Sequence, residues 1–173
     1  MKAVLDEASK HIGLKEIPGA KHNPTIVQMF ADVGHEWVKD DETAWCAAFV
    51  GAILKRVGLP HTGKLNARSY LLWGDAVKPA LAEPGDVMIF SRGDPNGWQG
   101  HVAFFVRPAE GGYMVCGGNQ SNAVTVAFYP KNRLLGVRRM KMPEPVIPVV
   151  TAPATFFARF VGWLQSFRKG GRT

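Results

Sequence analysis

The chain has 173 residues, 46% hydrophobic and 20% charged, the proportions of an ordinary globular domain, which exclude general disorder and a fibrous repeat. That length fits one domain able to bury its own core. Lys and Arg number 21 against 14 Asp and Glu, a formal charge of +7, which favours an anionic partner such as an acidic polysaccharide or a membrane surface. Nucleic acid also qualifies by charge, but +7 is modest and no reader motif accompanies it, so no nucleic-acid partner is expected.

The N-terminus meets Asp6 and Glu7 before any apolar stretch of signal-peptide length, so export through a standard leader is not expected. Val4, Leu5, Ala8 and Ile12 recur at helical spacing and Gly13 follows, which predicts a short amphipathic helix. Asn23-Pro24 reads as an N-cap with proline in the first turn of a second helix, whose apolar face runs through Ile26, Val27, Met29 and Phe30 to Gly34. Asp40-Asp41-Glu42-Thr43 precedes a run from Ala44 to Leu54 that is apolar nearly all round. This predicts a third helix through the core, with Thr43 as its N-cap and Gly58 and Pro60 ending it. A fourth, short helix is expected over Ala67 to Trp73, closed by Gly74.

The period then changes. After the turn Glu83-Pro84-Gly85, strand-like segments run over 86–90, 101–107, 113–117, 123–129 and 134–140, separated by Gly, Pro and Asn. Short connections predict an antiparallel sheet packed against the leading helices, an α+β architecture. Prolines at 143, 145, 148 and 153 mark 143–153 as a linker after a domain spanning 1–142. Within 154–173, Phe156, Phe160, Trp163 and Phe167 lie at offsets 0, 4, 7 and 11, with Arg159, Arg168 and Lys169 beside them. That pattern predicts a basic amphipathic helix, which either lies on an anionic membrane surface or folds back onto protein. No uncharged apolar run reaches the roughly 18 residues of a spanning helix.

Two cysteines, Cys46 and Cys116, are too few for a disulfide framework, and no C-x-x-C pair points to zinc. With Thr43 as N-cap, Cys46 is the third residue of its helix, where unpaired N–H groups and the positive helix end favour a thiolate. The alternative is a small buried hydrophobe. A nucleophilic thiol needs a base. His101 follows the turn Asn96-Gly97-Trp98-Gln99-Gly100 and opens a strand in which alternation groups it with Ala103 and Phe105. Asn119, with Gln120 second, ends the strand that a hairpin places beside that of His101, where an amide can hold the ring's other nitrogen or simply cap a turn. Trp45 is either a substrate-facing wall or core, as are Trp73 and Trp98. Arg68 meets a substrate carboxylate or is a solvated helix residue. Cys116 reads as a packed thiol.

Asp41-Glu42-Thr43-Ala44-Trp45-Cys46-Ala47-Ala48-Phe49-Val50, Ala67-Arg68-Ser69-Tyr70, Pro84-Gly85-Asp86-Val87, Gly100-His101-Val102 and Gly117-Gly118-Asn119-Gln120 together resemble the CHAP family of cysteine, histidine-dependent amidohydrolases and peptidases. Within it, they look most like a bacterial and phage endolysin-like subgroup. The resemblance covers roughly residues 3 to 140. It implies a papain-like fold, a Cys46 nucleophile, a His101 base and an Asn119 orienter acting on amide bonds of bacterial peptidoglycan. Many members carry a glutamate two residues before the orienting asparagine, where this chain has Gly117. Some bind calcium through spaced acids, whereas Asp40, Asp41 and Glu42 are consecutive, so no metal or other cofactor is expected. The protein is expected to be a monomer made in the cytoplasm and acting on the wall, in the periplasm or outside the cell. The alternatives are an antibacterial effector with the same chemistry and a non-catalytic wall- or membrane-binding protein.

Overall fold

The computed structural model describes residues 1–140; the predicted linker and amphipathic tail lie outside the described residues. Three α-helices lead: α1 (Lys2–Ser9), α2 (Pro24–Asp32) and α3 (Cys46–Arg56). Asn23 caps α2 as the sequence predicts, its side chain accepting from the Thr25 N–H at 3.0 Å. The first helix stops short of Ile12, because the chain turns there to meet the sheet. The Gly13 N–H donates to the Val124 carbonyl at 2.9 Å, and Lys15 forms an isolated bridge with Ala123.

The third helix starts later than expected. The Thr43 N–H donates to the Asp40 side chain at 2.6 Å, closing a local turn of the kind that competes with helix. The helix therefore begins at Cys46 with Trp45 at its N-cap, so Cys46 is its first residue instead of its third. From Cys46 to Leu54 every residue is buried, as an all-round apolar helix must be. Gly51 permits the close approach of α2: a Cβ there would lie 2.6 Å from Val33.

Residues Ala67–Leu72 form a 3-10 helix, started by the Asn66 side chain accepting from the Arg68 N–H at 2.8 Å. Six strands follow: β1 (Asp75–Val77), β2 (Val87–Ser91), β3 (Gly100–Ala109), β4 (Gly112–Gly117), β5 (Thr125–Pro130) and β6 (Leu134–Arg139). They form one sheet in the order β1-β6-β2-β3-β4-β5, and each neighbouring pair is antiparallel. The three-residue β1 gives too short a run to read from sequence.

Both faces of the sheet are apolar. Val87, Ile89, Val102, Phe104 and Cys116 join the core made by the helices. Met88, Phe90, Ala103, Phe105, Val115 and Val137 form a second cluster on the other face, which explains why β2 is buried along its whole length. Near β2, the fully buried Asp86 accepts two bonds from the Arg139 guanidinium, each 2.7 Å, and one from the Glu83 N–H at 2.8 Å. This bidentate pair ties the start of β2 to the end of β6.

Candidate active site

Cys46 is the first residue of α3 and lines a cleft together with Gly100, the first residue of β3. The side chain of its N-cap residue, Trp45, makes no capping bond, and among the described residues no side chain accepts from its first N–H groups. The backbone N–H groups of Cys46 and Ala47 favour the thiolate, and so does that of Val102, the residue after His101. Burial acts the other way and is the larger effect, pushing the Cys46 thiol above its usual range. The resting sulfur is therefore a protonated thiol.

His101 pairs with Phe90 across the β2–β3 ladder and is 1% exposed. By alternation it shares a face with Ala103 and Phe105, as expected, which is the face opposite the helix-side core, and among the described residues no hydrogen bond joins it to Cys46. Burial pushes its imidazole down to about 4, with Arg92 adding to the shift and a hydrogen bond to Gln120 opposing it. The ring is thus neutral at physiological pH. Its tautomer follows from the partners of Gln120. The Gln120 amide nitrogen donates to the Thr125 carbonyl at 2.7 Å and contacts Thr125 Oγ1 at 3.0 Å. Because a carbonyl only accepts, Oε1 must be the atom that faces His101 Nε2 at 3.1 Å. Nε2 therefore carries the proton, and Nδ1 keeps its lone pair. That Nδ1 is buried and has no hydrogen-bond partner among the described residues.

The amide that holds His101 is thus that of Gln120, not of Asn119, the first expectation. Asn119 is half-buried and sits in the left-handed region with φ 53°, as do Ser121 and Asn122. This tight turn carries the Gln120 side chain back over β4. Gly117 makes room for it: a Cβ there would lie 2.8 Å from Ala103 and 3.0 Å from Gln120 Oε1.

Tyr129 is a site residue the sequence reading missed. Its ring lies parallel to that of His101, centroids 4.8 Å apart, and also contacts Phe90 at 4.7 Å. Since β4 lies between β3 and β5, only a curled sheet brings these rings together, and strand alternation carries no sign of that. Trp45 is fully buried, not a substrate wall. Its indole N–H donates to Glu16 at 2.7 Å and its ring packs edge-on to Phe49. Trp73 is also core, donating to the Pro60 carbonyl at 2.7 Å. Trp98, by contrast, is 76% exposed and lines a cleft of about 140 Å³ beside Cys46.

Arg68 is committed to carbonyls. It donates to those of Gln99, Pro95 and Asp94 at 2.8, 3.0 and 3.2 Å, pinning the loop that walls the cleft. Asp41 is a loop anchor: fully buried, it accepts from the Ile17 and Asn23 N–H groups at 2.8 Å and faces His22 Nδ1 at 3.1 Å. Its bonds thus go to the preceding loop, and no acid stands in the first turn of α3. Both cysteines are free thiols, with Cys116 buried in the helix-side core. Among the described residues no cluster of three metal-ligating side chains occurs.

Comparison with solved structures bears on the fold. The chain is similar to an NLP/P60-family lipoprotein-like protein from Staphylococcus aureus subsp. aureus Mu50, with 15% identity and a TM-score of 0.50 over 82% of this chain and 41% of that one. It is also similar to the P60 domain of an antigen from M. avium subspecies paratuberculosis, with 16% identity and a TM-score of 0.51 over 82% of this chain and 95% of that one. The fold is the papain-like α+β fold of NlpC/P60 proteins. A further similar structure is the peptidoglycan hydrolase RipB from Mycobacterium tuberculosis, at 21% identity and a TM-score of 0.48, covering 82% of this chain and 65% of that one. The chain thus spans less than half of the staphylococcal protein. No family model matches the chain, and no curated protein matches it in sequence. Among the described residues no helix is long and apolar enough to cross a membrane.

Proposed function

We propose that the chain is a peptidoglycan hydrolase that cleaves an amide bond with Cys46 as nucleophile, His101 as base and Gln120 as the residue that positions the base. The observation carrying this reading is the buried imidazole whose tautomer is fixed by Gln120, with a lone pair on Nδ1 unshared among the described residues, next in the chain to Gly100, which lines the same cleft as Cys46. The substrate and the endolysin-like role of this reading come from the resemblance of the motifs to CHAP proteins, and the papain-like fold is the scaffold on which it is built.

Thiol and imidazole both rest neutral, so the proton moves as the bond forms. His101 Nδ1 takes the Cys46 proton while sulfur attacks the amide carbonyl carbon. The oxygen that becomes anionic is met by the Cys46 backbone N–H at the uncapped helix start. Collapse breaks the C–N bond, and the imidazolium gives its proton to the leaving nitrogen, which leaves a thioester on Cys46. Water then gives a proton to Nδ1 and its oxygen to the thioester carbon, and the returning proton regenerates the thiol.

The basic tail predicted over 154–173 adds a membrane-surface contact suited to a wall-lytic enzyme. Acid-quenched reactions with purified peptidoglycan test the mechanism by intact-protein mass spectrometry. An adduct that maps to Cys46 and is absent from Cys46→Ala is expected. Turnover with an adduct elsewhere, or one persisting in Cys46→Ala, would replace Cys46 as the nucleophile.

A further inference from the structure

The cleft beside Cys46 is lined by Ala44, Leu65, Arg92, Trp98 and Gln99 among others, and among the described residues Arg92 is the one charged side chain in its lining. Arg92 follows the last residue of β2, and its side chain is exposed. Among the described residues it has neither an acidic partner nor a side-chain hydrogen bond, unlike Arg56, Arg68 and Arg139, which are all paired with protein acceptors. Its charge nonetheless acts on the centre: it favours the Cys46 thiolate and opposes protonation of His101.

The base of this guanidinium is fixed. The Arg92 N–H donates to the Gln99 carbonyl at 3.4 Å, and Arg68 ties down the same loop by three carbonyls. Asp94, the acid nearest in sequence, turns its carboxylate to the Asn96 N–H at 2.9 Å. Among the described residues, the charged group lining the cleft is therefore a planar cation with a free fork of donors, the group best matched to a carboxylate, beside the neutral amides of Asn66 and Gln99. The cleft's volume of about 140 Å³ admits one side-chain-sized group, with the exposed Trp98 ring as an apolar wall beside it.

We propose that Arg92 is a specificity residue, pairing with a free carboxylate carried by the peptide next to the amide bond that Cys46 attacks. This rests on the amide-hydrolase reading of Cys46, and it restricts the substrate to an anionic peptide. The amidated form of the same peptide would leave the guanidinium without its partner.

The first test needs no wall substrate. The full chain is alkylated with iodoacetate and with iodoacetamide, and the Cys46 peptide is followed by mass spectrometry so that Cys116 does not contribute. Both reagents report the same thiol, but only the first carries a carboxylate. Arg92→Gln should lower the iodoacetate-to-iodoacetamide rate ratio by about tenfold, with Arg92→Lys between it and the wild type. An equal fall for both reagents would mean that Arg92 only tunes the thiol, and would overturn the proposal. The second test compares a synthetic wall stem peptide bearing a free carboxylate with its primary amide. The kcat/KM preference for the acid should fall about tenfold in Arg92→Gln. Retention of the preference would overturn the carboxylate contact while leaving the hydrolase reading in place. A changed alkylation ratio in an enzyme that cuts neither peptide nor wall would support the anion site and remove the hydrolase reading.

Discussion

Gln120→Leu is the substitution that most sharply tests how His101 is held. It keeps the side chain's bulk but removes the acceptor 3.1 Å from His101 Nε2 and the donor 2.7 Å from the Thr125 carbonyl. Two groups then lose their partner, His101 in a fully buried setting, at about 1–3 kcal/mol each, so the folded state should lose about 3 kcal/mol. The kinetic effect has a different origin. Without the Gln120 acceptor the ring is no longer fixed with its proton on Nε2, and base catalysis by Nδ1 should weaken by about a hundredfold or more in kcat. Gln120→Glu restores an acceptor and should recover part of that loss. Asn119→Gly keeps the left-handed backbone at φ 53° and should stay within about threefold of wild type. The assay is release of fragments from purified peptidoglycan, paired with nitrogen NMR of the imidazole, which should report Nε2–H in the wild type and a mixture in Gln120→Leu. Equal losses in Asn119→Gly and Gln120→Leu, or an unchanged tautomer in the latter, would refute the reasoning.

The pH dependence follows from burial of His101. An unfolded imidazole takes up its proton near 6.5 and the folded one only near 4, so protons favour the unfolded chain as pH falls between these values. The contribution of His101 is complete above 6.5 and falls by about 3 kcal/mol toward pH 4, measurable as urea midpoints; His11 and His61, whose imidazoles burial also pushes down, add to the decline, and His101→Phe should remove the His101 part of it. With the neutral ring as the proposed base, the acid limb of kcat/KM should lie near pH 4, and a limb near 6.5 would show that the ring is not held as described. Arg139→Leu strands the buried Asp86 carboxylate and should cost about 3–5 kcal/mol in chemical denaturation. Gly118→Ala places a Cβ 2.5 Å from the Trp45 ring and 2.7 Å from Phe49 Cβ, and should cost about 1–3 kcal/mol.

Much of the architecture was legible because its signals are local. Asn23-Pro24 announces a cap that the backbone of α2 uses, and the apolar run from Cys46 to Leu54 is long enough to belong only to a core helix. Alternation placed His101 with Ala103 and Phe105. What escaped was set by partners distant in sequence or by competition between neighbouring groups. The α3 start moved because Asp40 takes the Thr43 N–H, a local alternative that composition does not distinguish from capping. The choice between Asn119 and Gln120 turned on three left-handed residues in one turn, and nothing in the motif signals which amide they aim inward. Tyr129 reaches His101 only through the curl of the sheet, and Trp45 was taken by Glu16, 29 residues away.

The central claim is that Cys46 performs amide hydrolysis on peptidoglycan. Its most direct test is mass spectrometry of the fragments released from purified wall by the wild type and by Cys46→Ala under reducing conditions. The account predicts new amine and carboxylate termini from the wild type and none from Cys46→Ala. Equal fragments from both proteins would contradict it.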